Sequence, residues 1–149
     1  MTNTPISVGM GSSIVYFDKK TSSKAKKLSK QFLSLVGQVV EAKNELQIDS
    51  FTAIFGSGPA YVFFFIETLS KIALKNGFKL SDQMIMHLFL GSILLMLHKK
   101  EHPRNLRNRV TSKGGTTDAA IKFLMSSDKF LRILESAITK AKKRSIKLS

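Results

Sequence analysis

Apolar positions mix strand-like and helical spacing over roughly the first 42 residues and then fall at helical spacing almost without a break. Ile6 and Val8 alternate with Ser7 and Gly9, and residues 13–17 are β-prone, which predicts a pair of strands. Residues 21–36 place Leu28, Phe32, Leu35 and Val36 on one side and lysines on the other, an amphipathic helix that Gly37 stops. Residues 38–42 predict a short strand. Residues 46–55 predict one helix. Gly56-Ser57-Gly58 breaks it, and Pro59 suits the first turn of the next. That helix, 59–76, carries Tyr61, Val62, Phe63, Phe64, Phe65, Ile66, Leu69 and Ile72, and Gly77 fits a left-handed C-cap. Ser81 is the expected N-cap of a helix running to about Lys100. A short helix from Pro103 to about Val110 and two more over 116–125 and 128–147 complete the pattern, so the fold class is mainly α behind a short β/α segment.

Helices 59–76 and 80–97 are apolar nearly all round. A core built by barely a hundred residues buries two such helices poorly, so an obligate homo-oligomer with a large apolar interface is expected; the competing arrangement is a monomer whose helices cover one another. The longest apolar stretch, Met84 to Leu97, is interrupted by His87, Gly91 and Ser92 and falls short of the ~20 residues of a membrane span. Neither membrane association nor a secretion signal is expected.

With 149 residues, 43% of them hydrophobic, the chain is long enough for a useful core. It contains no cysteine, which excludes disulfides, thiol nucleophiles and cysteine-bound zinc and fits a cytoplasmic, reducing setting. The net charge of +14 invites a nucleic-acid reading, but 19 of the 24 basic residues are Lys. Bidentate contacts to phosphates and bases lean on Arg, so a solvated, Lys-rich surface without nucleic-acid binding is expected.

Chemistry concentrates at Val110-Thr111-Ser112-Lys113-Gly114-Gly115-Thr116-Thr117-Asp118. Two glycines among hydroxyl residues lead directly into a helix. Free amides and the positive end of the helix dipole there can cradle a carboxylate or phosphate. The same residues also read as an ordinary capped helix after a flexible turn. Elsewhere the signals are weaker. Gly9-Met10-Gly11 lacks the strand, turn and third glycine of a dinucleotide fingerprint. His98 and His102 have metal-ligand spacing, but Pro103 follows at once and no third ligand is evident, so no metal site is expected. Glu67 faces a polar cleft or pairs with Lys71 at i+4.

The sequence resembles the pyrroline-5-carboxylate reductase family. The match runs through Pro103-Arg104-Asn105-Leu106, the glycine loop from Val110 to Thr117, Ala120-Ile121 and Leu124. It extends to Gly56-Ser57-Gly58-Pro59-Ala60-Tyr61, Glu101-His102-Pro103, and Met1-Thr2-Asn3-Thr4-Pro5. The resemblance implies two parts. Residues 1–42 look like the end of a Rossmann nucleotide-binding domain, and 43–149 like the all-helical dimerisation and substrate-binding domain. It implies NADPH- or NADH-dependent reduction of 1-pyrroline-5-carboxylate to L-proline. It implies that the chain forms a homodimer or a higher oligomer, and that it needs a separate cofactor-binding polypeptide. The alternative is a non-catalytic dimerising remnant. By resemblance, Ser112, Gly114, Gly115, Thr116 and Thr117 hold the substrate. Thr117 lies near the imine nitrogen as the catalytic hydroxyl, and Asn3, Thr4 and Pro5 approach the nicotinamide. Lys113 stands where the family usually has proline, and Met125 where it usually has a polar residue.

Overall fold

The computed structural model describes residues 1–79 and 82–148; the expected N-cap at Ser81 lies outside them. The chain divides into two compact units, residues 1–62 with 135–149, and residues 63–134.

In the first unit, β1 (Gly11–Val15) and β2 (Gly37–Glu41) pair in parallel, Gly11 opposite Gly37 through Val15 opposite Glu41. The crossover is α1 (Ser23–Ser34), whose N-cap Ser22 side chain accepts from the Ala25 N–H at 3.2 Å. Gly37 is more than a helix stop: a Cβ there would lie 2.0 Å from the Gly11 carbonyl oxygen, so the strand pairing itself requires glycine. An ion pair between Lys30 and Glu41 ties α1 to β2 and, chiefly through its hydrogen bond, lowers the Glu41 carboxyl below its ordinary range.

The expected strand at Ile6 and Val8 is instead a 3-10 turn, Thr4–Val8. Pro5 in its first turn presets the backbone, and Gly9, at φ +72°, closes it left-handed. Only Thr2 remains as an isolated antiparallel bridge to Ser13.

The expected single helix over 46–55 is α2 (Leu46–Phe51) followed by a π turn, Thr52–Gly56, with the Ser57 amide bonding the Thr52 carbonyl at 2.8 Å. Ile14, Ala42 and Phe51 form the buried core beneath, with Ile48 packed on it. The Tyr61 hydroxyl donates to the Ala53 carbonyl at 2.9 Å and fixes the start of α3 (Gly58–Lys75) over the π turn.

The second unit holds most of α3, then α4 (Asp82–Lys99), α5 (Pro103–Arg109), α6 (Thr116–Met125) and the beginning of α7 (Lys129–Leu148). Gly77 is left-handed at φ +84°, as its C-cap role requires. Glu67 pairs with Lys71, the simpler of its two readings. Phe65 and Phe130 meet edge-on at 5.6 Å. Ser127 and Asp128, both left-handed, kink the chain between α6 and α7.

The two apolar helices do not cover each other within one chain. Of α4 only Ile85 is buried, while Leu88, Leu94 and Leu97 are 58%, 53% and 66% exposed, and Phe63 and Phe64 of α3 are each 65% exposed. The helical run Leu46–Lys75 is long and apolar enough to cross a membrane by length and composition, unlike the shorter stretch 84–97. It carries Asp49, the Glu67–Lys71 pair and the π turn.

Candidate functional site

The glycine loop leaves α5 under restraint on both sides. The Thr111 hydroxyl donates to the Arg107 carbonyl at 2.6 Å, closing the last turn of α5. Arg109 Nη1 reaches back to Glu101 Oε1 at 2.8 Å. At the head of α5 the His102 ring accepts from the Arg104 N–H at 3.2 Å, acting as the N-cap. Lys100 is left-handed and α4 has already ended at Lys99, so His98 and His102 do not stand one turn apart on one helix.

Within the loop, Gly114 is left-handed at φ +78°, a conformation that costs any L side chain ~1–2 kcal/mol. Gly115 is the extended N-cap of α6 and makes no side-chain cap bond. A Cβ on it would stand 2.7 Å from Ser112 Oγ and 3.1 Å from the Ser112 carbonyl oxygen. One glycine supplies a backbone angle and the other supplies room.

The loop amides are not all available to a ligand. The Gly114 N–H donates to Asp118 Oδ2 at 2.9 Å, and the Gly115 N–H to the Ser112 carbonyl at 2.9 Å. The Ala119 N–H bonds the Gly115 carbonyl at 3.1 Å, the first full turn of α6. The amides of Thr116 and Thr117 head that helix, where no intrahelical acceptor exists. Ser112 and Thr116 are exposed and Thr117 half-buried, so hydroxyls and helix-start amides lie together at an open face. An anion there meets the positive end of a ten-residue helix.

Asp118 is the residue that the sequence reading passed over. Its side chain is 15% exposed, and the same oxygen that takes the Gly114 amide takes Lys122 Nζ at 2.7 Å. The Lys122 ammonium first, and the Gly114 amide second, hold its carboxyl below the usual range. The available signal was an acid at the third helical position, which commonly reaches back to a free amide, followed by Lys at i+4.

Asn3, Thr4 and Pro5 belong to the first unit, the glycine loop to the second. The Asn3 side chain is engaged in holding the fold: its Oδ1 accepts from the Ser12 N–H at 2.8 Å and its Nδ2 donates to the Phe55 carbonyl at 3.0 Å. The second bond follows from the sequence of the π turn. Four residues beyond Phe55 stands Pro59, which has no N–H to offer that carbonyl. Thr4 is exposed and Pro5 half-buried at the start of the 3-10 turn. Gly9 precedes β1 and Gly11 opens it, and the crossover from β1 to α1, residues 16–22, has no glycine and is capped by Ser22. The connection from β1 to α1 is therefore not the glycine-rich strand-to-helix turn of a dinucleotide fingerprint.

An open groove of about 570 Å³ runs along α3 and α4, lined by Phe63, Ile66, Glu67, Ser70, Lys71, Leu74, Asp82 and Met86. None of these is a loop residue.

Residues 45–148 match the family described as pyrroline-5-carboxylate reductase dimerisation. A pyrroline-5-carboxylate reductase of Pseudomonas aeruginosa is 34% identical, with all of this chain aligned to 55% of that protein. The solved pyrroline-5-carboxylate reductase of Coxiella burnetii superposes with a TM-score of 0.88 at 33% identity, covering 100% of this chain and 56% of that one. The pyrroline carboxylate reductase of Plasmodium falciparum, solved with NADP bound, gives a TM-score of 0.84 at 34% identity over 97% of this chain and 58% of that one. The chain thus spans about half the length of the relatives it matches.

Proposed function

This chain belongs to the pyrroline-5-carboxylate reductase family, and from that premise we propose that it is the substrate-binding and dimerising part of such a reductase. In this reading residues 1–42 close a nucleotide-binding domain, and 43–149 form the helical domain that pairs with a second copy in the cytoplasm. The reaction is reduction of the cyclic imine 1-pyrroline-5-carboxylate to L-proline. NADPH supplies the hydride when a nucleotide-binding domain holds it. Thr4 and the backbone of Asn3 and Pro5 are the groups of this chain that would border its nicotinamide.

The observation that carries the reading is the open start of α6. The substrate carboxylate takes the Thr116 and Thr117 amides and the Ser112 and Thr116 hydroxyls, at the positive end of the helix. The Thr117 hydroxyl faces the ring nitrogen. When the imine carbon gains hydride, that nitrogen becomes basic, and a hydroxyl donor beside it assists delivery of the proton that completes the amine. Lys113, exposed on the loop, adds a positive charge that favours an acidic substrate.

The test mixes the purified chain with a separate nucleotide-binding domain of the family, adds 1-pyrroline-5-carboxylate and follows NADPH oxidation. Turnover that Thr117→Ala abolishes supports the reading. Absence of turnover, with both partners folded and bound together, rejects it.

The exposed apolar faces of α3 and α4 are equally accounted for by a second reading, a dimerising module without catalysis. Calorimetry with L-proline separates the two, because only the reductase reading requires the loop to bind it.

A further inference from the structure

A free carboxylate at the mouth of an anion cradle is at first sight misplaced, since it would repel the acid the cradle is proposed to hold. Asp118 is in that position, at the third residue of α6. Its geometry resolves the conflict. One oxygen, Oδ2, takes both the Gly114 amide at 2.9 Å and the Lys122 ammonium at 2.7 Å, so its charge is met from two sides. The Gly114 bond pins the one loop residue that must stay left-handed. The Lys122 side chain lies one turn along α6 and is 72% exposed.

From these contacts we infer that Asp118, with its charge cancelled by Lys122, is the positioning residue of the glycine loop: it holds the Gly114 amide so that the Thr116 and Thr117 amides face a bound carboxylate. The inference rests on the substrate reading above and deepens it. Asp118 touches no substrate. It acts through Gly114, and Lys122 keeps it from opposing the ligand. The two residues have separable duties. The carbonyl oxygen of Asn at 118 could still accept from Gly114, whereas Ala could not. Loss of Lys122 keeps the clamp and restores the repulsion.

The experiment is carried out on the full chain by two measurements. The first is hydrogen exchange of the Gly114 amide by NMR. The clamp requires protection in the parent chain, retention in Asp118→Asn and loss in Asp118→Ala, with other α6 amides unchanged. Equal protection in all three overturns it. The second is calorimetry with L-proline and with the uncharged analogue L-prolinol. Asp118→Ala should weaken L-proline about tenfold, the effect expected from losing one charge-assisted hydrogen bond, while Asp118→Asn stays near the parent. Lys122→Met should weaken L-proline but leave L-prolinol unmoved. Equal loss for both ligands means that Lys122 is merely structural and overturns its half of the assignment. In the reconstituted enzyme, Asp118→Ala should raise KM and spare kcat; a fall in kcat alone overturns the positioning role. If the parent chain binds no L-proline at all, the substrate reading fails, and the exchange measurement still decides the clamp.

Discussion

Gly114 and Gly115 are adjacent and have different duties, and substitution should tell them apart. Ala at 114 meets no atom within 4 Å and suffers only from its left-handed angle. Gly114→Ala should therefore cost about 1 kcal/mol in urea unfolding, close to the strain of one misplaced L residue. Gly115→Ala collides with Ser112, and Ser112→Ala should recover part of its stability, although the backbone contact at 3.1 Å remains. Asp118 sets a pH dependence whose sign is fixed by its lowered pKa. Its charged form is favoured by folding, so the contribution is complete above the unfolded carboxylate value of about 4 and disappears as pH falls through the lower folded value. The Gly114 amide resonance should hold steady from about pH 8 down to about pH 5 and move only below the usual carboxylate range. A midpoint at or above an ordinary aspartate would contradict the clamp.

At the scale of elements, the helical pattern was legible and its interruptions were not. Helix α6 begins and ends where the spacing of Ala120, Ile121 and Leu124 puts it, and Gly77 caps α3 as its position requires. The π turn was not legible, because Thr52 to Gly56 carries the same apolar spacing as a regular helix, and the partner of its Phe55 carbonyl, Asn3, lies far away in sequence. The alternation at Ile6 and Val8 suggested a strand, but Pro5 cannot donate to a ladder and starts a 3-10 turn instead. Half of the loop's chemistry was visible as glycines and hydroxyls. Which amides remain open was not, since that depends on where Asp118 and Ser112 direct their oxygens. The Asn3 bond to Phe55 makes a further test. Asn3→Ala leaves the Phe55 carbonyl and the Ser12 amide without their partners and should cost ~1–3 kcal/mol by thermal unfolding. Pro59→Ala returns an N–H to the fourth residue beyond Phe55. In that background the Asn3→Ala penalty should shrink; an unchanged penalty would show that the Phe55 bond contributes little.

At the scale of the molecule, exposed apolar surface dominates. Ile14, Ala42 and Phe51 make a small core, while α3 and α4 leave most of their large side chains uncovered. A chain of the dimerisation family is expected to cover them with a second copy, and sedimentation should find dimers or a higher assembly with no stable monomer. Leu94→Glu, placed on the exposed face of α4, should dissociate that assembly and lower the unfolding midpoint, whereas Lys24→Glu on α1 should do neither. An unaffected assembly in Leu94→Glu would move the interface elsewhere.

The first compact unit is built from stretches at opposite ends of the described chain, and the Ser145 hydroxyl reaches the Asp49 carboxylate across 96 positions at 2.6 Å. On a ribosome, Asp49 must wait for that contact while everything between is still being synthesised, including the greasy α3 and α4. Closure over so long a loop is slow relative to local helix formation. Nascent chains should therefore pass through an interval in which sticky helices are made but the first unit is unfinished, and holdase chaperones should capture them at that stage.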